Sequence, residues 1–316
     1  MAGKIRSVSL KILRFLIAFF LMYLILKRID FDPIIQHIKT INYFWLAISF
    51  LLALLLIYFN ALRWKILLRT HSVDAGIWKL YRIYLIGFFF NNFLPSSIGL
   101  DTVRTMYMKE HGLKEVASSV LVERFIGITA LFFYSFIGAV IIGYMKMGMK
   151  LVLYASLLLI IMIIIFIMSF NKKFLIKFKP LVLKIKYKNI GKEIITFYNL
   201  FFEFANNKKK MFLAFVISML MQTTIIAINI VIAKMYSIQM NYIFFFVYIP
   251  IISVLSMVPI SINALGVREG SYVYFFSRIG IAKEISLLFS LTYLAITAIT
   301  SLIGGIMFPF EKSSKR

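Results

Sequence analysis

Apolar residues run along this chain in long stretches, several approaching the ~20 residues a helix needs to cross ~30 Å of hydrocarbon. Full spans are predicted at about 10–26, 43–62, 116–145, 151–170, 211–233 and 285–309. Two further apolar runs, 80–94 and 242–259, break the pattern. The first is 15 residues long, roughly 22 Å of helix, too short to cross unaided. Each run ends at a proline, Pro95 or Pro259, and gives way to polar, glycine-containing sequence.

The two interruptions resemble one another. PSSIGLDTVR runs from Pro95 to Arg104 and PISINALGVR from Pro259 to Arg268. Both place serine two residues after proline, isoleucine three after and arginine nine after. Each is preceded by a pair of predicted spans and followed by one long span.

Basic residues orient these elements. The loop 171–210 holds eleven lysines, and the positive-inside rule places it in the cytoplasm. The segment 63–79 and both termini are also basic, whereas 234–241 has only Lys234. Were 80–94 a complete span, the lysine-rich loop would fall outside. If 80–94 and 242–259 instead enter and return as re-entrant hairpins, every strongly basic segment and both termini lie inside. The first hairpin then dips from the cytoplasm and the second from outside. The predicted fold is thus all-α and polytopic, with six full spans and two re-entrant hairpins among eight apolar segments. It forms a single integral domain over 1–316, with halves 10–145 and 151–309 as an inverted repeat, a recurring transporter architecture.

Composition agrees. Apolar residues make up 62% of the 316 residues and mean hydropathy is +0.92, well above a soluble domain's usual apolar share of about 45–50%. A net charge of +24 is explained more simply by cytoplasmic loops facing anionic lipid than by nucleic acid. Lys4, Arg6, Lys11 and Arg14 precede the first apolar run as in a signal peptide, but Lys27 and Arg28 follow with no small-residue cleavage site. A retained first span in the cytoplasmic membrane is expected. Cysteine is absent, which excludes disulfides and thiolate metal sites. His37, His71 and His111 lie far apart, so no metal site is expected.

Arg104 and Arg268 are the leading candidates for chemistry. An arginine at mid-bilayer costs about 2.5–3.5 kcal/mol on insertion scales, so it has a partner or lines a wet cavity. Its fork suits phosphate oxygens, and broken-helix ends add N–H groups that favour an anion. Substrate contact and internal pairing both stay open. Asp101 stands one helical turn before Arg104. Glu269 adjoins Arg268 but would point elsewhere on a helix, so the partner of Arg268 is expected on another segment. Glu123 and Arg124 lie about 10 Å into the run 116–145, a depth at which charges face the bundle interior or snorkel outwards as a pair. Asn91, Asn92, Ser96, Ser97, Ser261 and Asn263 can satisfy backbone groups freed where helices break, and Asn92 is also a candidate substrate contact. Pro95, Gly99, Pro259 and Gly266 shape the breaks. The aromatic clusters Phe88–Phe90 and Phe244–Phe246 read as lipid-facing or packing surface.

At these same residues the chain resembles the lysylphosphatidylglycerol synthase transmembrane family. This family is also called flippase-like or UPF0104, and includes the MprF-type flippase domain and AglD-like membrane domains. NNFLPSSIGLDTVR (91–104), VERF (122–125) and PISINALGVREG (259–270) are similar to its three motifs, in the expected order. Leu100, Asn263 and Ala264 depart from small or glycine positions of that pattern. The resemblance implies a flippase or scramblase that moves an anionic phospholipid or lipid-linked sugar headgroup, with Arg104 and Arg268 holding its phosphate. Asp101, Glu123, Arg124, Glu269 and Asn92 would stand around it. The chain stops six residues after Phe310, so no soluble aminoacyl-transfer domain is expected after it.

Two other classes stay open. A membrane enzyme acting on lipid-linked sugars would need positioned carboxylates, and Asp101, Glu123 and Glu269 are available. The predicted external loops 27–42, 146–150 and 234–241 leave it little catalytic face, and no enzyme activity is expected. A non-transporting accessory subunit is the other class. No GxxxxGK[ST] phosphate loop occurs, and no cofactor is expected. The expected partners are membrane lipid in the site and anionic lipid at loop 171–210.

Overall fold

Asn42 starts the first long helix by accepting the backbone N–H of Phe44 on its side-chain oxygen at 3.0 Å. In this computed structural model the described residues are 23, 25–27, 29–92, 98–144, 157, 160, 199–200, 202–257 and 264–311. Among them every regular element is helical. The helices are α1 (Phe31–Lys39), α2 (Tyr43–Leu68), α3 (Ile77–Asn91), α4 (Ile98–Tyr107), α5 (Leu113–Tyr144), α6 (Lys208–Met235), α7 (Phe245–Met257), α8 (Val267–Ser277) and α9 (Lys283–Met307). The segments 43–71, 113–141, 208–235 and 283–310 are long and apolar enough to cross a membrane. They coincide with four of the six predicted spans. Apart from residues 23, 25, 26, 157 and 160, the predicted spans 10–26 and 151–170 lie outside the described residues, as does most of loop 171–210.

Two boundaries differ from the sequence expectation. The span 43–62 was expected to stop at Arg63, yet α2 continues to Leu68. Arg63 and Trp64 are turned inward onto buried partners, so their polarity does not end the helix. The segment 27–42, expected as a loop, holds α1, capped by Asp30 and packed on α9.

Helix pairs stand where the two hairpins are predicted. α3 packs on α4, and α7 packs on α8. Both tips, 93–97 and 258–263, lie outside the described residues, and with them Pro95, Ser96, Ser97, Pro259, Ser261 and Asn263. Gly99 is the second residue of α4 and is buried. Gly266 precedes α8 with φ of +81°, a left-handed value at which a side chain would be strained.

The packing follows one scheme. α2 lies along α6; α3 packs on α9 and α7 on α5; α4 packs on α5 and α8 on α9; α5 packs on α6 and α9 on α2. Exchanging α2, α3, α4 and α5 for α6, α7, α8 and α9 reproduces these pairs. Two glycines mark the cross-contacts. A Cβ on Gly304 of α9 would overlap the Leu85 carbonyl of α3, and one on Gly138 of α5 would stand 2.8 Å from the Phe246 oxygen of α7. Pro250, inside α7, has no N–H for that oxygen, and Gly138 leaves room for it.

Candidate functional site

One apolar cluster, with Ile57, Ala61, Trp64 and Leu68 of α2, Leu80, Ile83 and Tyr84 of α3, and Val116 and Val120 of α5, meets a group of charges through Trp64 and Tyr84. Glu123 of α5 is at its centre. Its Oε1 accepts from Arg63 Nη2 of α2 at 2.7 Å and from the Tyr84 hydroxyl of α3 at 2.5 Å. Its Oε2 accepts from Arg104 Nη1 of α4 at 2.5 Å. Arg104 also donates to the Tyr84 hydroxyl and, through Nη2, to Asp101 Oδ1 at 2.5 Å. The second oxygen of Asp101 accepts from Arg124. Four helices thus meet on one charged group.

Each helix presents its side chain for a local reason. Asp101 and Arg104 are three residues apart on α4, so they share a face. Gly127, one turn beyond Glu123 on α5, leaves room for Arg63: a Cβ there would stand 3.3 Å from Nη1. Arg63 also donates to Ser218 Oγ of α6 at 2.9 Å. The Arg104 guanidinium lies over the Trp64 and Tyr84 rings, 5.0 and 4.7 Å from their centroids, contacts that strengthen when desolvated. Trp64 is held in turn by its indole N–H on Ser119 Oγ at 3.0 Å.

The group is closed at one end and open at the other. The side chains of Glu123 and Arg104 are each 3% exposed, whereas Asp101 is 20% and Arg124 35% exposed. Among the described residues, three guanidinium groups face two carboxylates here. The Nε atoms of Arg63 and Arg104 are buried without a hydrogen-bond partner. Such an arrangement favours an added anion.

The second motif builds a smaller group. Arg268 donates to Glu269 Oε1 from Nη2 at 2.7 Å and from Nε at 3.1 Å, which corrects the expectation that its partner lies elsewhere. Glu269 does not point away, because its Oε2 folds back to accept the Gly266 N–H at 2.6 Å. That cap brings the carboxylate to the helix start, within reach of the long Arg268 side chain. Ser290 of α9 bonds both residues. This pair is balanced, one charge of each sign. Arg104 and Arg268 therefore sit in separate groups, each with its own partners.

Glu123 faces the interior, as one of the two sequence readings has it; Arg124 reaches the open end. Asn92 donates to Ser301 Oγ of α9 at 2.7 Å and ties two helices. Arg63, Trp64 and Tyr84 were not anticipated from the sequence. Among the described residues no group of three acidic or histidine side chains could hold a metal. His71 is buried between Glu203 (2.9 Å) and Ser118 (3.2 Å). The Ser118 hydroxyl is buried and donates to the Glu115 carbonyl at 2.7 Å, so this trio offers no exposed nucleophile.

With every regular element helical and four membrane-length apolar helices among the described residues, together with a buried arginine–carboxylate group, this is a multi-pass membrane protein. Residues 11–305 match the lysylphosphatidylglycerol synthase TM region, and the chain belongs to that family. It is similar to the UPF0104 membrane protein MJ1595 of Methanocaldococcus jannaschii, with 28% identity over 174 residues. That match covers 51% of this chain and 50% of the relative.

Proposed function

We propose that this protein carries a lipid whose headgroup contains an anionic phosphate, a phospholipid or a lipid-linked sugar, between the leaflets of the cytoplasmic membrane. The observation that carries this reading is the gathering of three guanidinium groups, Arg63, Arg104 and Arg124, about one partly open site, with the Nε atoms of Arg63 and Arg104 buried and unbonded. A phosphate entering at the Asp101–Arg124 end would meet these guanidinium groups, while the acyl chains stay in the bilayer. The exchange symmetry of the packing supports two inverted halves that rock about the α2–α6 contact. Both termini and the basic loop 171–210 face the cytoplasm in this scheme, the loop against anionic lipid. The balanced Arg268–Glu269 pair fixes the start of α8 and is not a phosphate ligand.

The test is leaflet exchange of a labelled phosphatidylglycerol in vesicles containing the purified full chain. Wild type moves the label, and an Arg104→Gln variant that inserts normally does not. Equal exchange by both proteins would remove the site from transport.

A further inference from the structure

Two buried polar atoms on the packed pair α2 and α6 have no hydrogen-bond partner among the described residues, Nε of Arg63 and Oε1 of Gln222. The first is a donor and the second an acceptor. Gln222 is 7% exposed and stands one helical turn beyond Ser218, on the same face of α6. Ser218 Oγ accepts from Arg63 Nη1 at 2.9 Å. Long side chains on a helix lean back toward its start, so Gln222 leans toward Ser218 and the Arg63 guanidinium.

The neighbouring helix leaves space at the same level. Gly127 of α5 is one turn beyond Glu123 and half-buried. Beyond its own helix backbone and chain neighbours, the one described atom within 4 Å of a Cβ placed there is Arg63 Nη1, at 3.3 Å. Arg63 joins Glu123 to Ser218, and the Tyr134 hydroxyl meets Thr223 Oγ1 further along both helices. α5 and α6 therefore run in the same direction, and Gly127 and Gln222 both lie one turn past Arg63. We infer that Arg63, Gly127 and Gln222 form a subsite for a hydroxyl group of the headgroup, so that the lipid carried is a phosphate ester of a polyol, glycerol or a sugar. This rests on the reading of the adjoining guanidinium cluster as a site for the headgroup phosphate.

The two unbonded atoms choose the ligand. A hydroxyl accepts from a guanidinium N–H and donates to an amide oxygen at once. It suits the Gln222 amide turned over as well, since it accepts as readily as it donates. A phosphate or carboxylate oxygen only accepts and leaves Gln222 Oε1 without a donor. An ammonium group only donates, and beside Arg63 it meets a like charge. A methyl group satisfies neither atom, and each then keeps its desolvation cost. Glu123 joins Arg63 to Arg104, so the hydroxyl subsite and the phosphate site are neighbours and one headgroup serves both.

The experiment compares phosphatidylglycerol with phosphatidylpropanol, which has the same charge and carbon skeleton but no headgroup hydroxyl. Purified full-length protein in nanodiscs of neutral lipid is titrated with each, and the retained lipid is measured by mass spectrometry. Wild type retains phosphatidylglycerol about three- to tenfold better, the size of one hydrogen bond. Gln222→Met, of similar length, retains both lipids and brings the ratio to one. Equal retention of the two lipids by wild type, the result if water alone fills the subsite, overturns the inference. A Gln222→Met protein that keeps the wild-type ratio overturns it too, whether or not total binding falls, because a packing role lowers both lipids alike. If that variant does not fold, Gly127→Ala decides: its methyl group fills the space beside Arg63, and an unchanged preference overturns the inference equally. Water-soluble glycerophosphoglycerol is the competitor that tells a free ester from a lipid headgroup. Competition as strong as that of phosphatidylglycerol overturns the assignment to a lipid. A hydroxyl preference without leaflet exchange rejects transport alone, and exchange with equal retention rejects the subsite alone. Retention of neither lipid rejects the phosphate site and the subsite with it.

Discussion

Arg63 of α2 and Glu123 of α5 are joined at 2.7 Å inside the protein, with less than a tenth of either side chain exposed. Glu123 is shared with Arg104, so one carboxylate neutralises part of two guanidinium groups. Replacing it leaves Arg63 without a charged partner among the described residues and Arg104 with Asp101 alone. Glu123→Gln is expected to cost about 3–5 kcal/mol, as for a buried pair broken on one side. Arg63→Met costs less, because Glu123 keeps Arg104 and the Tyr84 hydroxyl. Thermal unfolding of the detergent-solubilised variants checks the order; Arg63→Met unfolding first would remove Glu123 from the centre of the group.

How far the sequence displays this site follows from what each residue looks like in isolation. Asp101, Arg104, Glu123 and Arg124 are charges inside or beside apolar runs, where a charge is conspicuous and needs an explanation. Arg63 is equally charged but stands before Trp64 and Lys65, which reads as an interfacial end of a span. The one contrary sign is that Ile66–Leu68 resume the apolar run. Tyr84 could not be found this way, since an aromatic in an apolar stretch carries no mark of its partner. The Arg268–Glu269 pair escapes for a third reason. Neighbouring residues diverge on a helix, and only the backward fold of Glu269 onto Gly266 brings them together. Of the architecture, four long spans and the two interrupted helix pairs are legible as apolar runs and prolines. The exchange of packing partners between halves is not, because it resides in contacts such as those of Gly138 and Gly304.

Those two glycines can be tested against a third. Gly304→Ala sets a methyl group into the Leu85 backbone, and Gly138→Ala sets one against Phe246 and Val247. Backbone cannot rotate aside as a side chain can, so α3 and α9, or α5 and α7, must separate. Each substitution is expected to cost about 1–3 kcal/mol. Gly76, with nothing within 4 Å of the added atom, is the control, and Gly76→Ala should leave the unfolding temperature unchanged. Equal effects at all three positions would show that the helix seams are not close-packed.

Asn92 and Ser301 form one hydrogen bond between the end of α3 and α9. Asn92→Ala and Ser301→Ala should each cost about 0.5–1.5 kcal/mol. The double variant should cost less than the sum, since the same bond cannot be lost twice. A strictly additive cycle in thermal unfolding would mean that the bond contributes nothing.

The two arginine groups should separate function from structure. Arg268 and Glu269 balance one another, and Glu269 also caps α8 through the Gly266 N–H. Arg268→Met combined with Glu269→Gln removes both charges, keeps a side-chain oxygen for that cap, and fills similar volume. Replacing a buried ion pair by matched neutral side chains is often nearly neutral in stability, so this double variant should fold and still exchange lipid between leaflets. Arg104→Gln should fold with some loss and exchange none, because it removes the guanidinium that joins Asp101, Glu123 and the Tyr84 hydroxyl at the centre of the site. Loss of exchange in the well-folded Arg268→Met/Glu269→Gln protein would reverse the assignment. The second motif would then take part in phosphate handling, and the guanidinium cluster beside Glu123 would no longer distinguish the site.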